Sequence, residues 1–241
     1  MACILACAAL PCRAQVAWLW DEAQLPAWST PEAAVLQRHI LLTGQRILTR
    51  PRMRRAALAP HTRVTPVVHV EVSIVNPPAD IEASRAPILR AMAQAAAAST
   101  SGRVQLDMEA RPSQRAFYRS LVRELRATLP ASVQLSVTAL AWWCRAPQWL
   151  DDLAADEVVP MFFRMGRDSA AMRRLLQDSP DTLHPRCRAG SAGFSPQEPV
   201  AGAVRARYRR TYWFDYHAWK KPPASAPDSS PSSLPYAETS P

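Results

Sequence analysis

At 241 residues, 48% of them apolar, the chain is long enough for one large domain with a substantial core and too apolar for wholesale disorder. The formal charge of +9 comes almost wholly from arginine: Lys220 and Lys221 are the two lysines among 29 basic residues, and the densest arginine group is Arg50, Arg52, Arg54 and Arg55. A nucleic-acid-binding face needs a continuous basic stripe interleaved with aromatics, so no nucleic-acid partner is expected. The six glycines form no phosphate-cradling pattern, which argues against a nucleotide, and no cofactor or metal is expected.

Residues 1–14, MACILACAALPCRA, resemble the apolar core and cleavage region of a secretory signal without its charged n-region. Cys12 and Ala14 place small residues at −3 and −1 for cleavage before Gln15. The run is too short to span a bilayer and no other segment is longer, so no integral membrane segment is expected. The expected location is periplasmic or secreted, with a cytoplasmic protein as the alternative. Without this segment Cys144 and Cys187 remain, an even pair predicted to form a disulfide in an oxidising compartment. Two separate buried thiols are the alternative; the pair lacks the clustered Cys/His spacing of a zinc site.

A single domain is expected over residues 15–220. Residues 15–21 (QVAWLWD) read as a strand, 38–49 as two short strands around Thr43-Gly44, and 64–75 as a strong strand stopped by Asn76-Pro77-Pro78. The alanine-rich stretch 80–98 predicts a helix with Pro87 in its first turn or at a kink. RVQLDMEA is a strand, and 113–129 a helix whose Phe117, Leu121, Leu125 and Leu129 share one apolar face. Strands over 133–143, 157–166 and 211–219 follow, with a short helix at PQWLDDLA, a helix over 168–178 capped by Asp168, and a weak strand in 192–204. Residues 222–241 hold six prolines and six serines, so the tail over 221–241 is expected to be disordered.

This alternation of strand and helix predicts an α/β fold, a small (β/α)8 TIM-like barrel of incomplete or irregular outline. An open parallel α/β sheet is the alternative, although such sheets usually carry a glycine-rich first turn that is missing here.

In either fold the working residues stand at the C-terminal ends of the strands. Period-two alternation puts His69 with Glu71 on one face, and Asp107 with Glu109 on another, with Gln105 below. Thr138 and Trp142 follow on the next strand, Arg164 after VPMFF, Trp18 and Trp20 on the first strand, and Trp213 and Asp215 on the last. Acids ringed by tryptophans suit a glycan: carboxylates supply the acid and base of glycoside cleavage, and flat rings stack on sugars. Same-face carboxylates lie roughly 6.6 Å apart along a strand, at about 3.3 Å per residue. Shared desolvation raises the pKa of at least one of them, as a proton donor requires. The structural alternative for Asp107 and Glu109 is a pair that caps backbone amides or binds Arg111 or Arg164. Ser136 has no G-x-S-x-G elbow, which disfavours serine hydrolysis.

The D-x-E at Asp107-Met108-Glu109 partly resembles the strand-end motif D-x-x-D-x-D-x-E of family 18 glycoside hydrolases, with Gln105 and Gly102 replacing its first two acids. A wider resemblance runs over residues 15–219. VQLDMEARPSQRAFYRSLVRELRATLP, LSVTALAWWC, DEVVPMFFRMG, CRAGSAGFSPQEP and TYWFDYHAW are together similar to a bacterial family of unknown function, family 3142. That family has D-x-D where this chain has the longer Glu109, and the resemblance implies an exported, glycosidase-like barrel without an established activity. Two functions follow: a glycosidase-like enzyme on an envelope or extracellular glycan, with Glu109 as general acid/base and Asp107 as orienter, or a non-catalytic carbohydrate-binding accessory protein. The substrate-binding set is His69, Glu71, Trp20, Trp142, Arg164, Trp213 and Asp215.

Overall fold

The computed structural model describes residues 14–20, 30–56 and 58–215; the leader-like residues 1–13 and the Pro/Ser-rich tail lie outside the described residues. Nine strands make one sheet: β1 (Ala14–Leu19), β2 (Glu32–Thr43), β3 (Arg46–Pro51), β4 (Arg63–Val72), β5 (Arg103–Met108), β6 (Gln134–Leu140), β7 (Glu157–Met161), β8 (Gly190–Phe194) and β9 (Tyr208–Phe214). All but β3 run parallel, in the order β1-β9-β8-β7-β6-β5-β4-β2, and β1 also pairs with β2. That last pairing closes an eight-stranded barrel and overturns the open-sheet alternative. Ala14, expected in the leader-like segment, opens β1 and pairs with Arg210.

The barrel is irregular in its connections. Full helices follow β4, β5 and β7 as α1 (Arg85–Ala97), α2 (Arg115–Thr128) and α3 (Ser169–Asp178), and a single turn, α4 (Gly202–Arg205), follows β8. After β6 the chain makes 3-10 turns at Ala141–Arg145 and Pro147–Trp149, so Trp142 and Trp143 sit on a turn beyond the expected strand and PQWLDDLA is no α-helix. β7 ends at Met161, short of the expected 166. Asp168 holds the N-cap position of α3 without a side-chain cap bond.

Between β2 and β4 the crossover is replaced by the hairpin strand β3, which runs antiparallel to β2. Its turn needs Gly44: φ is +54°, and a Cβ there would stand 2.7 Å from Asn76 Nδ2. The upper halves of β2 and β4 pair from Arg38–Val68 to Leu42–Val72, while β4 pairs β5 only as far as Val70–Met108. A three-stranded ribbon, β3-β2-β4, therefore rises on one side of the barrel mouth.

Two apolar layers hold the fold. Inside the barrel are Val16, Trp18, Ala34, Val67, Val159, Met161, Phe163, Tyr212 and Phe214; outside, the opposite faces of the strands pack under the helices with residues such as Leu106, Val137, Met92, Leu121 and Leu176. Gly193 makes room in the inner layer, where a Cβ would lie 3.2 Å from the Phe163 ring and 3.7 Å from Trp18. The floor of the barrel is ionic. Glu32 accepts from Arg210 at 2.7 Å and Arg103 at 3.4 Å, and Glu157 pairs with the same two arginines at 3.6 and 3.2 Å. Tyr212 and Ser191 also donate to Glu157. Each charge faces a partner of opposite sign, the condition under which buried ions are tolerated.

Cys144 and Cys187 form the predicted disulfide, with Cα atoms 5.9 Å apart across 43 residues of chain. It ties the turn that carries Trp142 to the segment before β8.

Candidate active-site cleft

The C-terminal ends of the strands open into a cleft of about 850 Å³, within the usual size range of small-ligand sites. Its walls are built from the last inward residues of the strands and the loops beyond them: Trp18 and Trp20 from β1, His69 and Glu71 from β4, Asp107 and Glu109 from β5, Leu140 and Trp142 from β6, Met161, Phe163 and Arg164 from β7, and Phe214 from β9. Alternation decides this membership. On β5, Arg103, Gln105 and Asp107 point inward, from floor to mouth, while Val104 and Leu106 join the outer layer.

Asp107 is buried and held at both oxygens. Oδ2 accepts from His69 Nδ1 at 2.8 Å, and Oδ1 from Thr138 Oγ1 at 2.8 Å. Among the described residues Asp107 makes no hydrogen bond or ion pair with Arg111 or Arg164, the structural alternative raised above. Since a carboxylate only accepts, the His69 proton sits on Nδ1. Burial opposes a charge on His69, but the carboxylate and hydrogen bond of Asp107 outweigh it and raise its pKa above the ordinary value. Trp20 lies against the ring of His69, with centroids 4.5 Å apart.

Glu109 stands on the cleft wall beside this pair. The residue is exposed to the cleft, yet its carboxyl is pushed above the ordinary carboxylate value, first by partial desolvation from the cleft walls and then by Asp107, with His69 and Arg164 working against the shift. An upward shift is the direction a general acid needs.

Sequence alternation did not bring out His39, on β2. Its Nε2 lies 3.0 Å from Glu71 Oε2, and its Nδ1 accepts from Arg50 Nε at 3.1 Å. In the β2–β4 register His39 is paired directly with His69, a meeting that only the threading of the two strands creates. His39, His69 and Glu71 each offer one ligand atom within 4.8 Å of the others, which is metal-like spacing. The residues do not fit a cation as they stand, however. With Arg50 donating to Nδ1, the neutral His39 ring carries its proton on Nε2, the nitrogen a metal would need, and gives it to Glu71. Burial, His69 and Arg50 keep the His39 pKa low.

Two expected site residues are elsewhere. Trp213 faces out of the barrel into the layer under the helices, because its neighbours Tyr212 and Phe214 take the inward positions. Asp215 is buried and accepts from the Gln197 amide, and it is not among the residues that line the cleft. Trp143 and Trp149 stack on each other at 4.1 Å in the core, leaving Trp142 as the indole of that cluster that reaches the cleft.

The fold and site thus define a closed (β/α)8-barrel protein with a histidine–carboxylate cleft at its mouth. No family model and no curated protein matches the chain. Among solved structures, the Bacillus cereus spore cortex-lytic enzyme SleL is similar with a TM-score of 0.48 at 14% identity, over 76% of this chain and 50% of that one. The chain spans half the length of that structure. Among the described residues, no helix is long and apolar enough to cross a membrane.

Proposed function

We propose that this protein is an exported glycoside-hydrolase-like barrel acting on an envelope or extracellular glycan, with Glu109 as general acid/base and Asp107 as the group that orients the site. The observation that carries the reading is the contrast between the two acids. Asp107 is locked by His69 and Thr138, whereas Glu109, two residues on, opens onto the cleft with its pKa raised. Cleavage then needs Glu109 to give its proton to the leaving glycosidic oxygen as the anomeric C–O bond breaks, and to take one back from the incoming water. The locked Asp107–His69 pair supplies fixed charge beside the developing oxocarbenium ion at no reorganisation cost. Trp20 and Trp142 offer aromatic faces to sugar rings. The likeness of the strand-end motifs to family 3142 and the Cys144–Cys187 bond support export.

A glycan-library screen for binding and hydrolysis, with wild type and Glu109→Gln, tests this. Cleavage lost and binding kept in Glu109→Gln is the expected result. Binding by both proteins with cleavage by neither would instead make the cleft a carbohydrate-binding site without chemistry.

A further inference from the structure

The reaction above leaves two cations of the cleft without a role, and their surroundings bear on which sugar it takes; the inference rests on the proposed glycan-binding role of this cleft. Six ionisable side chains line it: His69, Glu71, Asp107, Glu109, Arg111 and Arg164. Asp107 is taken by His69 and Thr138, and Glu71 by His39. Neither arginine makes a close ion pair among the described residues, and Arg164 acts on Glu109 from a longer distance. Arg164 has φ +51°, a left-handed backbone that costs energy for a non-glycine residue, and it is held there by Glu198, whose Oε1 accepts from the Arg164 backbone N–H at 2.6 Å. The other oxygen of Glu198 is engaged by Arg173 at 3.1 Å, so this acid does not neutralise the Arg164 guanidinium. Arg111 has Nη2 buried with no hydrogen-bond partner among the described residues, donor capacity that native proteins rarely leave unused.

Arg111 follows β5 and Arg164 follows β7, so in ring order they flank the loop after β6, which carries Trp142. A cleft whose wall carries, in ring order, an arginine, an indole and a second arginine matches a sugar ring that bears a planar anion. Arginine forks bind carboxylates through two parallel hydrogen bonds, which a single ammonium cannot do. We infer that the cleft takes a carboxylate-bearing glycan, recognised by Arg111 and Arg164 with the ring on Trp142. The carboxylate is carried either by the ring itself, as in a uronic acid, or by a lactyl ether, as in a muramic acid.

Calorimetry on the Glu109→Gln protein tests this without turnover. The probes are oligogalacturonic acid and an N-acetylmuramic acid oligosaccharide, each beside its carboxyl methyl ester. At least one acid should bind about 10-fold tighter than its ester, and which one it is identifies the source of the carboxylate. Arg164→Gln and Arg111→Gln should each remove about 10-fold from the acid and leave the ester unchanged, while Arg90→Gln, on the outer helix α1, should change neither. Arg164→Lys keeps the charge without the fork and should fall between. Equal affinity for acid and ester, no binding of either acid, or an equal loss in Arg90→Gln overturns the inference. Acid preference without any wild-type cleavage would end the hydrolase reading alone; cleavage of ester and acid at the same rate would end this one alone.

Discussion

Asp107 and His69 face each other across the β4–β5 pairing, with Oδ2 and Nδ1 2.8 Å apart and the two residues directly opposite in the strand register. Parallel pairing thus places the contact: a one-residue slip on either strand would send one of the two side chains to the outer layer. The pair is buried below Glu109 and beside Trp20, so its charge acts in a poorly solvated setting where it is felt strongly.

Asp107→Asn keeps the size of the side chain and removes the counter-charge of His69. Turnover of the folded protein on the cleaved glycan should drop about 100-fold, alongside a lower melting temperature from the loss of the buried pair. NMR titration of the His69 ring should show its pKa moving down. A purely structural Asp107 would lower the melting temperature and shift the His69 titration while leaving kcat of the folded protein unmoved.

Both His69 and Glu109 bind a proton more tightly in the folded protein than in the unfolded chain. Stability linked to either group is therefore complete on the acid side of its unfolded pKa and is lost as pH rises through the raised folded value. For Glu109 the loss begins above the ordinary value of 4.5, and for His69 above 6.5. Urea midpoints followed from about pH 4 to about pH 9 should fall in those two windows. His69 is buried and Glu109 exposed, so the upper step is the larger one: His69→Gln should flatten it, and Glu109→Gln the smaller, solvent-screened lower one.

Glu32 is 3% exposed at the barrel floor and faces Arg63, Arg103 and Arg210, with Thr65 donating to it as well. Glu32→Gln leaves arginines partly buried without their anion and should cost about 3 kcal/mol in denaturant unfolding. Because the floor lies at the opposite end of the barrel from the cleft, KM should not change in protein that remains folded.

Trp142 and Trp143 should separate cleanly. Trp143 is fully buried against Trp149 and Tyr118, so Trp143→Ala is expected to cost about 3–5 kcal/mol. Trp142→Ala should weaken glycan binding with a much smaller stability loss. Reducing the Cys144–Cys187 bond should cost about 2–4 kcal/mol and also weaken binding, since Cys144 anchors the turn that presents Trp142.

The succession of strands and the residues on their inward faces were legible because period-two alternation and the β–α succession are properties of local sequence, although β6 and β7 end before the residues expected. VQLDMEA announces both its strand and the acids at its end, and the Thr43-Gly44 turn marks its hairpin. Less was legible where one residue of parity decides: Trp213 and Phe214 are both large and aromatic, and the pairing of β9 with β1 and β8 alone sends Phe214 to the cleft and Trp213 outward. His39 was hidden for a different reason. It lies 32 residues from Glu71 and 30 from His69, and meets them only because β2 is threaded beside β4.

By itself, then, the sequence determined the kind of layer each segment builds, since side-chain periodicity and turn chemistry are written residue by residue. It also supplied Asp107 and Glu109 as a same-face pair and Cys144 with Cys187 as an even pair of thiols. The tertiary structure decided that the sheet closes, which of the two acids is locked and which is open, and which arginines of the cleft make no close ion pair. Those outcomes depend on distances between strands remote in the chain, and interactions between charges are governed by such distances and by burial, which no local pattern encodes.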